Sequence, residues 1–169
     1  MKLAVYHMDF DNKIGWHEIK GKYREFEAYN KGKFRNTGVE AEYTHQAGNH
    51  WEYSLGFGIS NPETKDPSKK NSKWTQDSAR LDGVATLTYK ADKLRSTLSY
   101  KYLGDREDYS KYGQVPCISR FTWNTTYDVT KNDTLTLTLN NLFDHENFAN
   151  KYGNLELPYN WRLSWAHKF

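Results

Sequence analysis

The side chains with most chemical potential in this sequence are six histidines, His7, His17, His45, His50, His145 and His167. Metal sites built on one element repeat their imidazoles at fixed short spacings, such as one helical turn. These six show no such spacing, so no protein-bound metal and no cofactor are expected. Cys117 is the single cysteine, which excludes a disulfide framework and a thiolate cluster. Glu40 and Glu42 fall on one face of a strand. A glycosidase pair would have to converge across a cleft, so these two read as a solvated lining. No motif surrounds a serine as a nucleophile, and the reading is of a chain without catalysis. Asn124-Thr125-Thr126 and Asn132-Asp133-Thr134 fit the glycosylation pattern but sit in or beside strands. For non-covalent binding, the residues of choice are Trp74, Arg80, Arg106, Tyr109 and Tyr112, aromatics and cations in or beside long polar segments, side chains that suit an anionic, ring-bearing ligand.

The elements that must position these groups are strands. Helical periodicity is nearly absent, while apolar and polar residues alternate with period two. Trp51, Tyr53, Leu55, Phe57 and Ile59 oppose Glu52, Ser54, Gly56 and Gly58. Leu135, Leu137 and Leu139 interleave with Thr134, Thr136 and Thr138, and Leu94, Leu98, Tyr100 and Tyr102 stand against Arg95, Thr97, Ser99 and Lys101. The pattern predicts about nine strands, near 2–10, 13–20, 33–45, 50–60, 80–90, 93–103, 117–130, 133–142 and 158–169. Most are about 9 to 13 residues long, the length of a tilted membrane-crossing strand rather than of the shorter soluble type.

Composition agrees. The chain has 169 residues, 24 Lys and Arg against 21 Asp and Glu, and a net charge of +3 spread along its length, which gives no basic patch for nucleic acid. Its mean hydropathy of −0.97 alone would suggest a soluble domain. Yet 13 Tyr, 8 Phe and 6 Trp make 16% of it, rings suited to surfaces apolar on one side and wet on the other. No apolar run reaches the roughly 18 residues of a spanning helix, and no export signal is visible at Met1.

The predicted connections alternate. Asp11-Asn12, Gln46 to Asn49, Ala91-Asp92 and Lys131-Asn132 are short, while 21–32, 61–79, 104–116 and 143–157 are long and polar. Tight turns at one end and long loops at the other are the arrangement of an outer-membrane barrel. The polar face, with Arg, Lys, Glu and Asp, would leave unpaired charge in a dry core, so it is assigned to a wet lumen and the apolar face to lipid. Nine strands ending at a periplasmic Phe169 would put residue 1 at the extracellular end, and the odd count implies at least one strand before Met1.

The last strand, Trp161 to Phe169, carries Trp161, Leu163, Trp165 and Phe169 on one face. This resembles the terminal signal by which outer-membrane barrels are recognised for assembly. Asn140-Asn141-Leu142-Phe143-Asp144, a polar loop and then Pro158 before the closing strand are similar to the end of TonB-dependent outer-membrane receptors. Asn36-Thr37-Gly38-Val39-Glu40 resembles the Asn-x-Gly-Val-Glu segment of that family, and Tyr6 to Ile14 the hairpin before it. Pro158-Tyr159-Asn160-Trp161-Arg162 departs from the family's Pro-Gly-Arg-like start to the closing strand.

The resemblance implies an all-β, antiparallel transmembrane barrel segment, the C-terminal portion (1–169) of a barrel of about 22 strands. It further implies an amino-terminal plug, which this sequence does not show, and contact with the energy-transducing protein TonB through regions outside it. The cargo would be a ferric siderophore, haem or cobalamin, and the partners outer-membrane lipid and the barrel assembly machinery. Two other readings stay open here: a small stand-alone or oligomeric porin-like barrel, and a soluble carbohydrate-binding β-sandwich.

Overall fold

Side chains that alternate in polarity favour extended backbone, because a strand sends successive residues to opposite faces. In the computed structural model the alternating segments form one antiparallel sheet, with strands β1 (Lys2–Glu18), β2 (Phe26–Ala47), β3 (Trp51–Ser60), β4 (Glu63–Lys65), β5 (Thr75–Gln76), β6 (Leu81–Lys90), β7 (Leu94–Leu103), β8 (Ile118–Asp128), β9 (Asp133–Asn140) and β10 (Asn160–His167). The structure describes residues 1–23, 25–66, 70–106, 115–148 and 154–169, and for residues 17, 18 and 31 the backbone alone. Long strands pair in chain order, β1-β2-β3-β6-β7-β8-β9-β10, and the small β4-β5 hairpin continues the sheet beside the upper part of β2. No pairing between β1 and β10 closes the sheet among the described residues.

The register assigns each side chain to a face. Tyr53 lies opposite Leu87 and Leu87 opposite Leu98, which continues through Trp123 and Leu139 to Trp161. The other face carries Glu52, Thr88, Thr97, Asn124, Thr138 and Arg162 in the same order of pairing. Among the described residues the apolar rows pack under no second layer: Val5 is 73% exposed, Leu163 59% and Trp165 69%, and Val115 and Ile118 are the buried hydrophobics of the described core. A soluble sandwich would hide these rows. Hydrocarbon would cover them instead, and strands of about ten residues at about 3.3 Å each, tilted by about 40°, span the roughly 25 Å of a barrel's apolar band.

Aromatic rings gather toward both borders of that band, where headgroups meet hydrocarbon. At the short-turn end Trp51 packs on Tyr89 (ring centroids 4.9 Å apart) and Tyr43 on Tyr53 (6.0 Å). Toward the other end Tyr100 packs on Phe121 (4.5 Å) and Phe121 edge-on to Phe143 (5.0 Å). Polar atoms on the lipid side pair with one another, as lipid offers no partner. Ser96 and Thr125 share a hydrogen bond of 2.9 Å, and Trp123 Nε1 donates to Ser96 at 2.7 Å.

The structure corrects the strand count near the start. Residues 2–10 and 13–20 belong to one strand, and Asp11-Asn12 is an irregularity within it, where the β1–β2 register shifts between Phe10 and Ile14. A two-residue hairpin needs residues at positive φ. Neither Asp11 nor Asn12 is so placed, and β2 runs on far enough to pair β1 throughout. The predicted long segment 21–32 shrinks accordingly, since β2 begins at Phe26. Eight long strands result, and the argument from an odd number falls. Lys2, opposite Glu42, and His167, opposite Asp133, both lie toward the short-turn end. The expectation that residue 1 stands at the extracellular end is therefore overturned.

Candidate functional site at the long-connection end

β1 and β2 are much longer than their neighbours, 17 and 22 residues against 8 to 11 for the other long strands. Gly38 of β2 pairs with Ser60, the last residue of β3, so residues 26–37 of β2 and their β1 partners form a ribbon above the band, widened at Lys33, Phe34 and Arg35 by the β4-β5 hairpin. The ribbon has a contour of about 35 Å. In it, hydrogen bonding and charge attraction from Asp11, 2.8 Å away, hold the Lys33 ammonium above its ordinary pKa.

The 61–80 connection straps onto this ribbon from both faces. On the outward face Arg35 donates to Glu63 through Nε (2.8 Å) and Nη2 (2.7 Å), and its guanidinium lies 4.3 Å over the Trp74 ring. On the inward face Lys13 pairs with Asp77 and sits 4.9 Å from the centre of the Phe34 ring. Gln76, almost wholly buried, donates to Asp105 O at 3.0 Å, which ties the strap to the 104–117 connection.

The far side of the mouth is built around two buried neutral amides. Asn141, 2% exposed and at φ +50°, donates from Nδ2 to His145 O (2.8 Å) and Leu157 O (3.4 Å), and its Oδ1 accepts from His145 N (3.1 Å). Asn147, 3% exposed, accepts from Ser119 N at 2.9 Å and donates to Ser119 O at 3.3 Å. Asp144 Oδ1 accepts from Tyr159 N at 2.7 Å, and Leu142 N donates to Phe121 O at 3.0 Å. Asn141, Leu142, Phe143 and Asp144 thus form a device that ends β9 and folds the following connection back. Glu156 from that connection reaches Arg120 at 3.1 Å.

The residues expected to bind ligand occupy separate settings. Trp74 is stacked under Arg35, and Arg106 Nη2 donates to Phe148 O (2.7 Å) and Pro116 O (3.2 Å), joining two connections. Arg80 is exposed just before β6, and its carbonyl accepts from Ser60 N at 2.8 Å. Tyr109 and Tyr112 lie outside the described residues. Missed by sequence reasoning were Asn147, Gln76 and the pair Lys13–Asp77; an amide in a polar loop carries no signal that it will be buried. No group of three or more metal-ligating side chains occurs among the described residues. Trp161, Leu163 and Trp165 lie on the apolar face of β10, opposite Leu139, Leu137 and Leu135, and Trp165 Nε1 and His167 Nδ1 both meet Asp133 Oδ1 (3.0 and 2.8 Å).

The family described as TonB dependent receptor-like, beta-barrel matches residues 1–142. The chain belongs to it. Members of this family are receptors and transporters of the outer membrane. No curated protein matches the chain. The FrpB iron transporter from Neisseria meningitidis aligns over 99% of this chain and 29% of its own, at TM-score 0.76 and 15% identity. The ferric enterobactin receptor PfeA from Pseudomonas aeruginosa (a G324V mutant) covers 99% and 28%, with TM-score 0.72 and 16% identity. The siderophore receptor PiuA from Acinetobacter baumannii covers 99% and 26%, with TM-score 0.68 and 20% identity. These likenesses establish the shared fold, and the chain spans under a third of each of the three proteins.

Proposed function

We propose that the complete protein is an outer-membrane receptor for uptake of a ferric siderophore or a similar scarce nutrient, such as haem or cobalamin, with residues 1–169 forming one arc of its barrel wall. The observation that carries this is the single two-faced sheet, with lipid-ready rows outside, a hydrogen-bonding lining inside and its long connections at one end. The open edges at β1 and β10 fit an arc, because unpaired strand edges in hydrocarbon cost several kcal/mol per group. TonB would act through regions outside this arc. Trp74, Arg80, Arg106, Tyr109 and Tyr112 remain the proposed ligand contacts, although Trp74 and Arg106 already serve to hold the connections. Trp161, Leu163, Trp165 and Phe169 would be read by the barrel assembly machinery.

Deleting the gene for the complete protein should abolish growth on one ferric chelate, haem or cobalamin as limiting source, and the wild-type gene should restore it. Removing Phe169 should lower the amount of assembled barrel in outer-membrane fractions and growth with it. Unchanged growth on every such source, or a protein recovered in aqueous buffer without detergent, would end this reading.

A further inference from the structure

Strict alternation would send Lys13 to the face opposite Phe10. The two register shifts in β1, between Phe10 and Lys13 and between Lys13 and Ile14, return it to the inward face, opposite Gly32 and over the Phe34 ring. Irregularities of this kind re-aim single side chains and are frequent beside functional sites. Crossing the membrane does not require this one, since it lies in the ribbon above the band.

The irregularity creates a pocket of about 380 Å³ lined by Phe10, Asn12, Lys13, Phe34 and Asp77. Its floor is the Phe10–Phe34 pair, ring centroids 6.0 Å apart and planes at 29°. Phe10 is 55% exposed, a large ring left open on the inward face of the sheet. Its lip is polar and neutral in sum: the ammonium of Lys13 is balanced by the Asp77 carboxylate, and Asn12 adds an amide. Lys13 keeps N–H groups beyond the one given to Asp77, and that carboxylate keeps lone pairs.

We infer that this pocket binds a neutral planar aryl group bearing a donor and an acceptor side by side, as in an aryl amide, with the ring on Phe10 and Phe34 and the polar group at the lip. A free anion would meet Asp77 as well as Lys13, and an aliphatic group would forgo ring stacking. The inference rests on the receptor reading only in treating the mouth as the place where cargo first touches the protein. It differs from the expectation of an anionic chelate on Trp74 and Arg106 in both charge and location.

The test uses the full-length protein purified in detergent, with benzamide as probe and cyclohexanecarboxamide as its non-aromatic counterpart, read by saturation-transfer NMR. Benzamide should bind and its counterpart should not. Phe34→Leu should weaken benzamide by about threefold or more. Lys13→Gln, which keeps most of the stem and loses the charge, should weaken it independently, so the test survives if the first variant fails to assemble. Equal binding of the two amides, or unchanged affinity in an assembled variant, overturns the inference. Nutrient-dependent growth of the same strains separates the two ideas: lost benzamide binding in the wild type with intact uptake removes the pocket alone, whereas benzamide binding without any uptake removes the receptor reading alone.

Discussion

The two sides of the mouth hold their connections with different weights of charge and neutral hydrogen bonding, although each has some of both, Gln76 in the strap and Arg120–Glu156 across from it. The 61–80 strap grips the ribbon with charges and rings, Arg35–Glu63, Arg35 over Trp74, and Lys13–Asp77. The 141–159 connection folds around Asn141 and Asn147, neutral amides that are almost wholly buried. A buried amide is specific and costly to lose, because each orphaned partner is left without water. A part-exposed ion pair is weaker and is screened by salt. From the difference we expect the described part of the C-terminal connection to behave as a fixed plate and the strap as a detachable clasp beside the pocket at the ribbon's irregularity.

The largest test of this contrast is Asn141→Ala, which strips three hydrogen bonds from a buried position at positive φ. It should cost about 2 to 4 kcal/mol in unfolding of the full-length barrel. A loss below about 0.5 kcal/mol would show that the plate does not depend on this amide. Arg35→Met should cost less, about 1 to 2 kcal/mol, because Glu63 is left only partly covered. Hydrogen exchange should then quicken in residues 61–66 and 70–80, with 141–148 unchanged, and matching acceleration on both sides would erase the distinction. The smallest effect is expected from ionic strength: raising salt from 0.1 to 1 M shortens the screening length from about 10 to 3 Å, so exchange should rise modestly in the strap and stay level around Asn147. Equal salt sensitivity at the strap and around Asn147 would contradict the greater weight of charge in the strap.

Much of the wall was legible from the residues alone. The rows of Trp51 to Ile59, Leu135 to Leu139 and Leu94 to Tyr102 could be placed because strand period and bilayer thickness act locally, residue by residue. The Asn-Leu-Phe-Asp segment was legible as a family feature, though its work in ending β9 appeared only with the contacts of Asn141. The Asp11-Asn12 turn misled, since its composition suits a hairpin and nothing nearby reveals how far β2 extends.

The sequence by itself determined the class of structure: two-faced strands of crossing length, rings for the membrane borders and alternating short and long connections. These follow from polarity and spacing along the chain. The tertiary structure alone decided the register that reduces nine strands to eight long ones, the return of Lys13 to the face of Phe34, and the burial of Gln76 and Asn147. Each depends on a partner dozens of residues away, Phe34 on Phe10, Asp105 on Gln76 and Ser119 on Asn147. Pairing energy across the sheet is a property of two segments together, and no local pattern in either one encodes it.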